Sequence, residues 1–344
     1  MTPIYNQLLI PFLTAMVVAI TMGGSGTAPA FSASYGANVI RKSIIPGLFG
    51  IMVFVGAFIA GKKTAGTMGS GILPSEYMDF TVVSIALFSI AVTMLISNIS
   101  GIPQSTSQAA VLALAAPALY FNKLDTHNLF VEIIPAWFIL PIISYFLSFF
   151  AGKYIYQPMR RRGLTIQRAQ NENKRHIWDI VLVIMALYVS FAIGSNNVAN
   201  AAGPLYTMTI NELHIRESDH IVILMLATLV VAPCFGIGAS LFGHKILKNT
   251  GKEIILFGKF EAVIIAFISG SLLLLASVVK GIPTSLVQVN VAAILGIGVA
   301  KMGHKNIFRK TQVKRFFTMW MIAPVISFLL SLLLIFLADK ANLL

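Results

Sequence analysis

Cysteine occurs once in the chain, as Cys234 within an apolar run, so neither a disulfide framework nor a cysteine metal cluster can be built. Charge is scarce too. Asp, Glu, Lys and Arg supply 11% of the residues, where a soluble domain carries about a quarter. Acids are scarcest of all, 12 against 25 basic residues, for a formal net charge of +13. A soluble enzyme surface cannot be assembled from so few charges. No nucleophile–base pair, metal-ligand spacing or phosphate-cradling loop stands out, so the chain is read as a non-enzyme with no cofactor and no metal.

What fills the chain is apolar: 57% of 344 residues, with a mean hydropathy of +0.84. About 20 apolar residues span a bilayer, and ten runs approach that length: 6–22, 43–61, 79–98, 101–121, 129–151, 177–193, 219–242, 259–278, 281–300 and 316–338. The expected fold is an all-α polytopic membrane protein. The first run has no charge ahead of it and no small-residue cleavage site, so it reads as a retained segment. Between the fifth and sixth runs lies a basic linker, 153–176, holding Lys153, Arg160, Arg161, Arg162, Arg168, Lys174 and Arg175 against Glu172. Basic loops stay in the cytoplasm. With ten crossings the same side receives Arg41, Lys42, Lys245, Lys248, Lys252, Lys301, Lys305, Arg309, Lys310, Lys314 and Arg315. The outside receives both termini and Glu76, Asp125, Glu212, Glu217 and Asp219, with Lys62 and Lys63 the poorest fit. The positive charge is thus a topology signal and does not call for nucleic acid.

Five runs per half is an odd number, so two similar halves (1–152 and 177–344) have opposite orientations. Three echoes run in the same order through both. Gly23-Gly24-Ser25-Gly26-Thr27-Ala28-Pro29-Ala30 and Gly194-Ser195-Asn196-Asn197-Val198-Ala199-Asn200-Ala201 follow apolar runs, 171 residues apart. Gly101-Ile102-Pro103-Gln104-Ser105-Thr106-Ser107-Gln108 and Gly281-Ile282-Pro283-Thr284-Ser285-Leu286-Val287-Gln288 are 180 apart. Trp137-x3-Pro141-x2-Ser144 and Trp320-x3-Pro324-x2-Ser327 are 183 apart. Inverted repeats with polar, interrupted helices characterise secondary transporters.

Gly and Pro in the first pair are expected to break the helices there. In the second pair Pro is expected in a first helical turn, with hydroxyls capping the free N–H groups. Helix N-termini attract anions without a formal cation. Ser105, Thr106, Ser107, Thr284 and Ser285, with Ser25, Thr27, Asn196, Asn197 and Asn200, are therefore the candidate donors to one oxyanion. A plain alternative is that the hydroxyls only cap and pack helices, as small residues do in membranes. Acids inside the spans are few, and Glu261 and Asp179 are the candidates for a coupling role, with Glu132 behind them.

These motifs resemble the inorganic phosphate transporter (PiT) family, whose halves each carry Gly-Ala-Asn-Asp-Val-Ala-Asn-Ala and a later Pro-x-Ser-Thr-Thr-His. Gly194 to Ala201 matches the first pattern at six of eight places, with Ser195 for Ala and Asn197 for Asp. The earlier copy keeps Gly23, Ala28 and Ala30, with Ser25, Gly26 and Pro29 at the Asn, Asp and second Asn positions. Both His positions are Gln, at Gln108 and Gln288, and Leu286 and Val287 replace a Thr pair. The resemblance implies a transporter, with a homodimer as a family-level expectation. Relatives that move phosphate with sodium use the two Asp carboxylates, and here both are missing. Monohydrogen phosphate carries an O–H that wants an acceptor, whereas sulfate only accepts. The losses therefore tilt the site toward sulfate and away from sodium, as in the CysP-type sulfate permease branch. The expected activity is sulfate import across a bacterial inner membrane by proton symport. Phosphate symport with altered coupling and an anion channel are the alternatives.

Overall fold

The computed structural model describes residues 4–100, 104–161, 172–243, 247 and 258–344. Gly101-Ile102-Pro103, linker residues 162–171 (with Arg162 and Arg168) and Lys245, Lys248 and Lys252 lie outside the described residues.

Each of the ten apolar runs contains a helix. The first half comprises α1 (Ile4–Gly36), α2 (Ile45–Ala60), α3 (Lys62–Ser70), α4 (Phe80–Ser100), α5 (Thr106–Tyr120) and α6 (Ile134–Phe150). The second comprises α7 (Glu172–Asn197), α8 (Ala199–Leu213), α9 (His220–Leu241), α10 (Lys259–Leu275), α11 (Leu286–Met302) and α12 (Thr311–Lys340). Seven continuous helical stretches among the described residues are long and apolar enough to cross a membrane, and α2 with α3 makes an eighth, bent by 77°. α5 and α11, of 15 and 17 residues, are shorter. At 1.5 Å per residue they reach about 23 and 26 Å, less than the roughly 30 Å of a hydrocarbon core. The exposed side chains are those of a lipid-facing surface: Phe138, Ile142, Phe146 and Phe150 stand out along α6.

The two expected helix breaks at the first motif pair are not there. α1 runs for 33 residues straight through Gly23 to Ala33, with Pro29 inside it. At the second copy only Val198 separates α7 from α8, and its own torsions are helical (φ −60°, ψ −34°). The glycines instead admit neighbouring backbones. A Cβ on Gly23 would stand 2.2 Å from the Phe235 carbonyl oxygen of α9, and one on Gly194 2.0 Å from that of Val53 in α2. The bend falls at Gly61, between α2 and α3. Pro283 also departs from expectation, lying before the Ser285 cap and not in the first turn.

The halves interlock by exchange. α1 packs on α9 while α7 packs on α2, and α5 packs on α12 while α11 packs on α6. Ser144 of α6 donates to the Val289 carbonyl (2.8 Å), and Ser327 of α12 donates to that of Ala109 (2.9 Å). These are the serines of the third echo, acting on carbonyls 180 residues apart.

α4 and α5 return the chain to the face it left, since Tyr77 before α4 stacks on Phe121 after α5 at 5.3 Å. α10 and α11 do the same from the other face, where Glu261 at the start of α10 meets Lys301 at the end of α11 at 2.5 Å. The α12 end lies at the first of these faces, with Tyr120 donating to Asp339 at 2.7 Å.

Candidate anion-binding site

Where the two short helices begin, polar side chains gather in the interior. Ser105 is extended (φ −74°, ψ 105°) and accepts the Gln108 N–H at 3.3 Å, capping α5. Ser285 (φ −97°, ψ 105°) does the same for Gln288 at 3.3 Å, capping α11. The next N–H groups, on Thr106, Ser107, Leu286 and Val287, have no carbonyl a turn back within their helices. Each end is a patch of partial positive charge.

Asn196 ties these ends together. Its amide nitrogen donates to Ser277 Oγ (2.8 Å) and to the Ile282 carbonyl (2.9 Å). Its oxygen accepts from the Thr284 N–H (3.1 Å) and Ser107 Oγ (3.4 Å). A backbone donor on one side and a backbone acceptor on the other fix which way this amide faces. Asn197 donates to Thr106 Oγ1 at 3.0 Å and Asn200 to Ser107 Oγ at 3.1 Å. Gln108 and Gln288 face each other across the junction of the halves with two reciprocal amide bonds, 3.2 and 2.9 Å.

Five buried polar atoms in or beside this cluster have no partner among the described residues: Asn98 Oδ1, Gln104 Nε2, Asn197 Oδ1, Asn200 Oδ1 and Thr284 Oγ1. Unpaired buried groups carry a desolvation cost of about 1–3 kcal/mol each, so their concentration at one place makes it the candidate site for a polar solute. The oxygen and nitrogen ends of the Asn197 amide are interchangeable against the Thr106 hydroxyl, and turned over it offers an N–H; the Ser107 proton goes to Asn196, which keeps Asn200 as a donor to Ser107.

Eight of the ten candidate donors are therefore joined or serve as caps at the two helix starts. Ser25 and Thr27 are not: their hydroxyls fold back onto the α1 carbonyls of Met22 (3.0 Å) and Gly23 (2.7 Å). The cluster is one-sided. Thr106 and Ser107 open α5, but Leu286 and Val287 open α11, and Gly26 faces Phe49 and Ile193. Gln104, Gln108, Gln288 and Ser277 were not among the sequence candidates. Gln108 and Gln288 carried a signal, occupying matching positions where the family pattern has His.

The candidate coupling acids lie elsewhere. Asp179 pairs with Lys259, and Glu261 pairs with Lys301 while accepting the Gly258 N–H. Asp179 is 17 residues before Asn196 on α7, about 25 Å along the helix. Glu261 is 16 residues before Ser277, a comparable distance. Glu132 sits near Lys280 at 3.8 Å, half exposed. Among the described residues the amide and hydroxyl cluster contains no carboxylate. Among the described residues no group of three or more His, Cys, Asp or Glu could hold a metal.

An all-helical membrane protein whose interior focuses two helix N-termini and neutral donors on one spot is built to handle an anion. The phosphate transporter family model matches residues 22–331, and the chain belongs to that family. It is 31% identical to the sulfate permease CysP of Bacillus subtilis, over 97% of this chain and 89% of that one. It is 24% identical to a putative phosphate permease of Pyrococcus abyssi, over 94% and 96% of the two chains. A solved structure, the sodium-dependent phosphate transporter, shares the fold with a TM-score of 0.83 at 20% identity, covering 97% of this chain and 99% of the other.

Proposed function

We propose that the protein imports sulfate by secondary active transport, as two inverted repeats rocking about a central anion. The observation that carries the reading is the lack of any carboxylate among the polar residues that gather at the starts of α5 and α11. A proton-free dianion needs donors only, and a carboxylate beside it repels. The similarity to a sulfate permease along nearly the whole chain supports the same choice. Thr106, Asn197, Asn200, Thr284 and the free N–H groups at the starts of the helices that Ser105 and Ser285 cap form the donor shell, with Asn196 and Ser107 holding it together. The exchanged packing of α1 on α9 and α7 on α2 supports the inverted repeat.

Moving a dianion inward against an inside-negative potential costs roughly 2.3 kcal/mol per charge per 100 mV, so cations must accompany it. Protons are the proposed partner, because a hard cation such as sodium favours charged oxygen ligands and the site offers none. The proton travels on the anion or on one of the two acids, Glu261 or Asp179; of these Glu261 is the fully buried one. The linker and Lys42 face the cytoplasm of a bacterial inner membrane, and the termini face outward.

One observation favours a second reading, phosphate transport. As placed, Asn197 Oδ1 and Asn200 Oδ1 are free acceptors, suited to the O–H of a protonated phosphate. Proteoliposomes separate the two. An imposed inward proton gradient is expected to concentrate labelled sulfate, with phosphate a poor competitor and sodium without effect. Uptake of phosphate in preference to sulfate, driven by sodium, rejects the sulfate reading. Flux that only dissipates a gradient points to a channel.

A further inference from the structure

We propose that the reciprocal Gln108–Gln288 amide pair is the specificity-determining contact of the anion site. This rests on the reading of α5 and α11 as the two arms that hold one anion.

Each Gln sits in the first turn of its helix, three residues past the capping serine whose oxygen accepts its N–H. The side chains then meet across the junction of the halves, each donating to the other's oxygen at 3.2 and 2.9 Å. Both residues are buried, with 6% and 5% of their surface exposed. The pair sets the spacing between the two N-termini, so that both patches of positive charge converge on one spot. It does so without a formal charge, and an amide does not titrate in the physiological range. Within the pair each amide uses one of its two N–H bonds and one lone pair. In a reciprocal pair the two unused N–H bonds leave by opposite edges of the ring, so one of them is left to face an anion held between the helix ends.

That chemistry sets a preference. A neutral donor there suits an oxyanion that only accepts. It offers a protonated oxyanion nothing that a bare one lacks. Replacing one Gln by Glu keeps one bond of the pair, since a Glu carboxylate still accepts the partner's N–H; only a protonated Glu also donates back as the amide did. What changes is the remaining position, which becomes an acceptor. A carboxylate there receives the O–H of monohydrogen phosphate and repels sulfate.

The test uses the full-length protein in proteoliposomes, with wild type, Q108E, Q288E and the shortened neutral amides Q108N and Q288N. Labelled sulfate and labelled phosphate uptake are each measured against the other anion as competitor at pH 7. Size-exclusion profile and thermal melting report folding. At least one Glu variant is expected to move the sulfate-to-phosphate preference at least tenfold toward phosphate. Both Asn variants, which cannot span the gap, are expected to weaken the two anions together by about tenfold, leaving the ratio within twofold. Folded Glu variants whose ratio stays within twofold of wild type overturn the proposal. If neither Glu variant folds, the Asn variants decide, and unchanged affinity for both anions overturns it. A wild type that itself prefers phosphate sinks the sulfate reading, while the pair is still judged by whether the ratio moves in Q108E and Q288E.

Discussion

At position 197 an amide and a carboxylate have nearly the same shape but opposite consequences for a dianion. Asn197 reaches Thr106 at the start of α5 (3.0 Å) and lies in the buried interior. A carboxylate there places like charge beside the anion, which costs several kcal/mol when desolvated. Asn197→Asp is therefore expected to lower sulfate affinity at least tenfold while keeping the fold, because the Thr106 hydroxyl, which accepts from the Asn197 amide, can turn to donate to a carboxylate. Competition binding on purified protein measures it. The three consecutive polar residues Ser195, Asn196 and Asn197 were visible in the sequence as a centre. That Asn196 alone bridges the segment before α11 and the first turn of α5 was not, because its partners are 81 to 89 residues away. Ser25 and Thr27 looked like donors from their letters. In a continuous helix each finds a nearby carbonyl on its own helix, three or four residues back.

Among the elements, helix starts were legible and helix continuity was not. The hydroxyl clusters after Pro103 and Pro283 announced capped helix starts, though the caps fall on Ser105 and Ser285 and Pro283 stays outside the first turn. Gly23 and Gly194 were read as breakers, yet in a bilayer a small residue more often marks where backbones approach, and a sequence does not show the approaching helix. Gly194→Ala and Gly238→Ala place a Cβ 2.0 and 1.8 Å from the carbonyls of Val53 and Ile20. Both are expected to lower the melting temperature of the purified protein by several degrees. Gly66→Ala, in α3 with nothing within 4 Å, is expected to be neutral or to stabilise by up to about 1 kcal/mol through helix propensity. The ion pairs at the start of α10 differ in the same graded way. Glu261 is fully buried against Lys301, so Glu261→Ala is expected to cost about 3 kcal/mol. Asp179 and Lys259 are each about a quarter exposed, so Asp179→Ala is expected to cost about 1 kcal/mol or less. Thermal melts of the two variants side by side check the order.

For the whole molecule, each of the ten hydropathy runs contains a helix, while α3 and α8 lie outside them, and charge gives the proposed sidedness of the loops. Arg41, Lys42, Lys153 and Lys305 gather with the basic linker opposite Glu76, Glu212 and Glu217 under the proposed topology. The hairpin character of α4–α5 and α10–α11 escaped the sequence, because a returning arm and a crossing helix have the same composition. Both leave the chain on the same side in the end, so the charge argument gives one answer for either. Single cysteines at Ser75 and Lys42 test the orientation, since Cys234 is buried. An impermeant maleimide is expected to label Ser75→Cys on intact cells, and Lys42→Cys only after permeabilisation. The reverse pattern inverts the topology.

A polar centre without a carboxylate is expected to select a proton-free dianion and to need no sodium. The most direct measurement is anion binding to the purified protein at pH 7, sulfate against phosphate, with and without sodium. Tighter binding of sulfate, unchanged by sodium, is the expected result. Sodium-dependent binding that favours phosphate contradicts the claim, and means that the oxygens of Asn197 and Asn200 take the place of the missing acids.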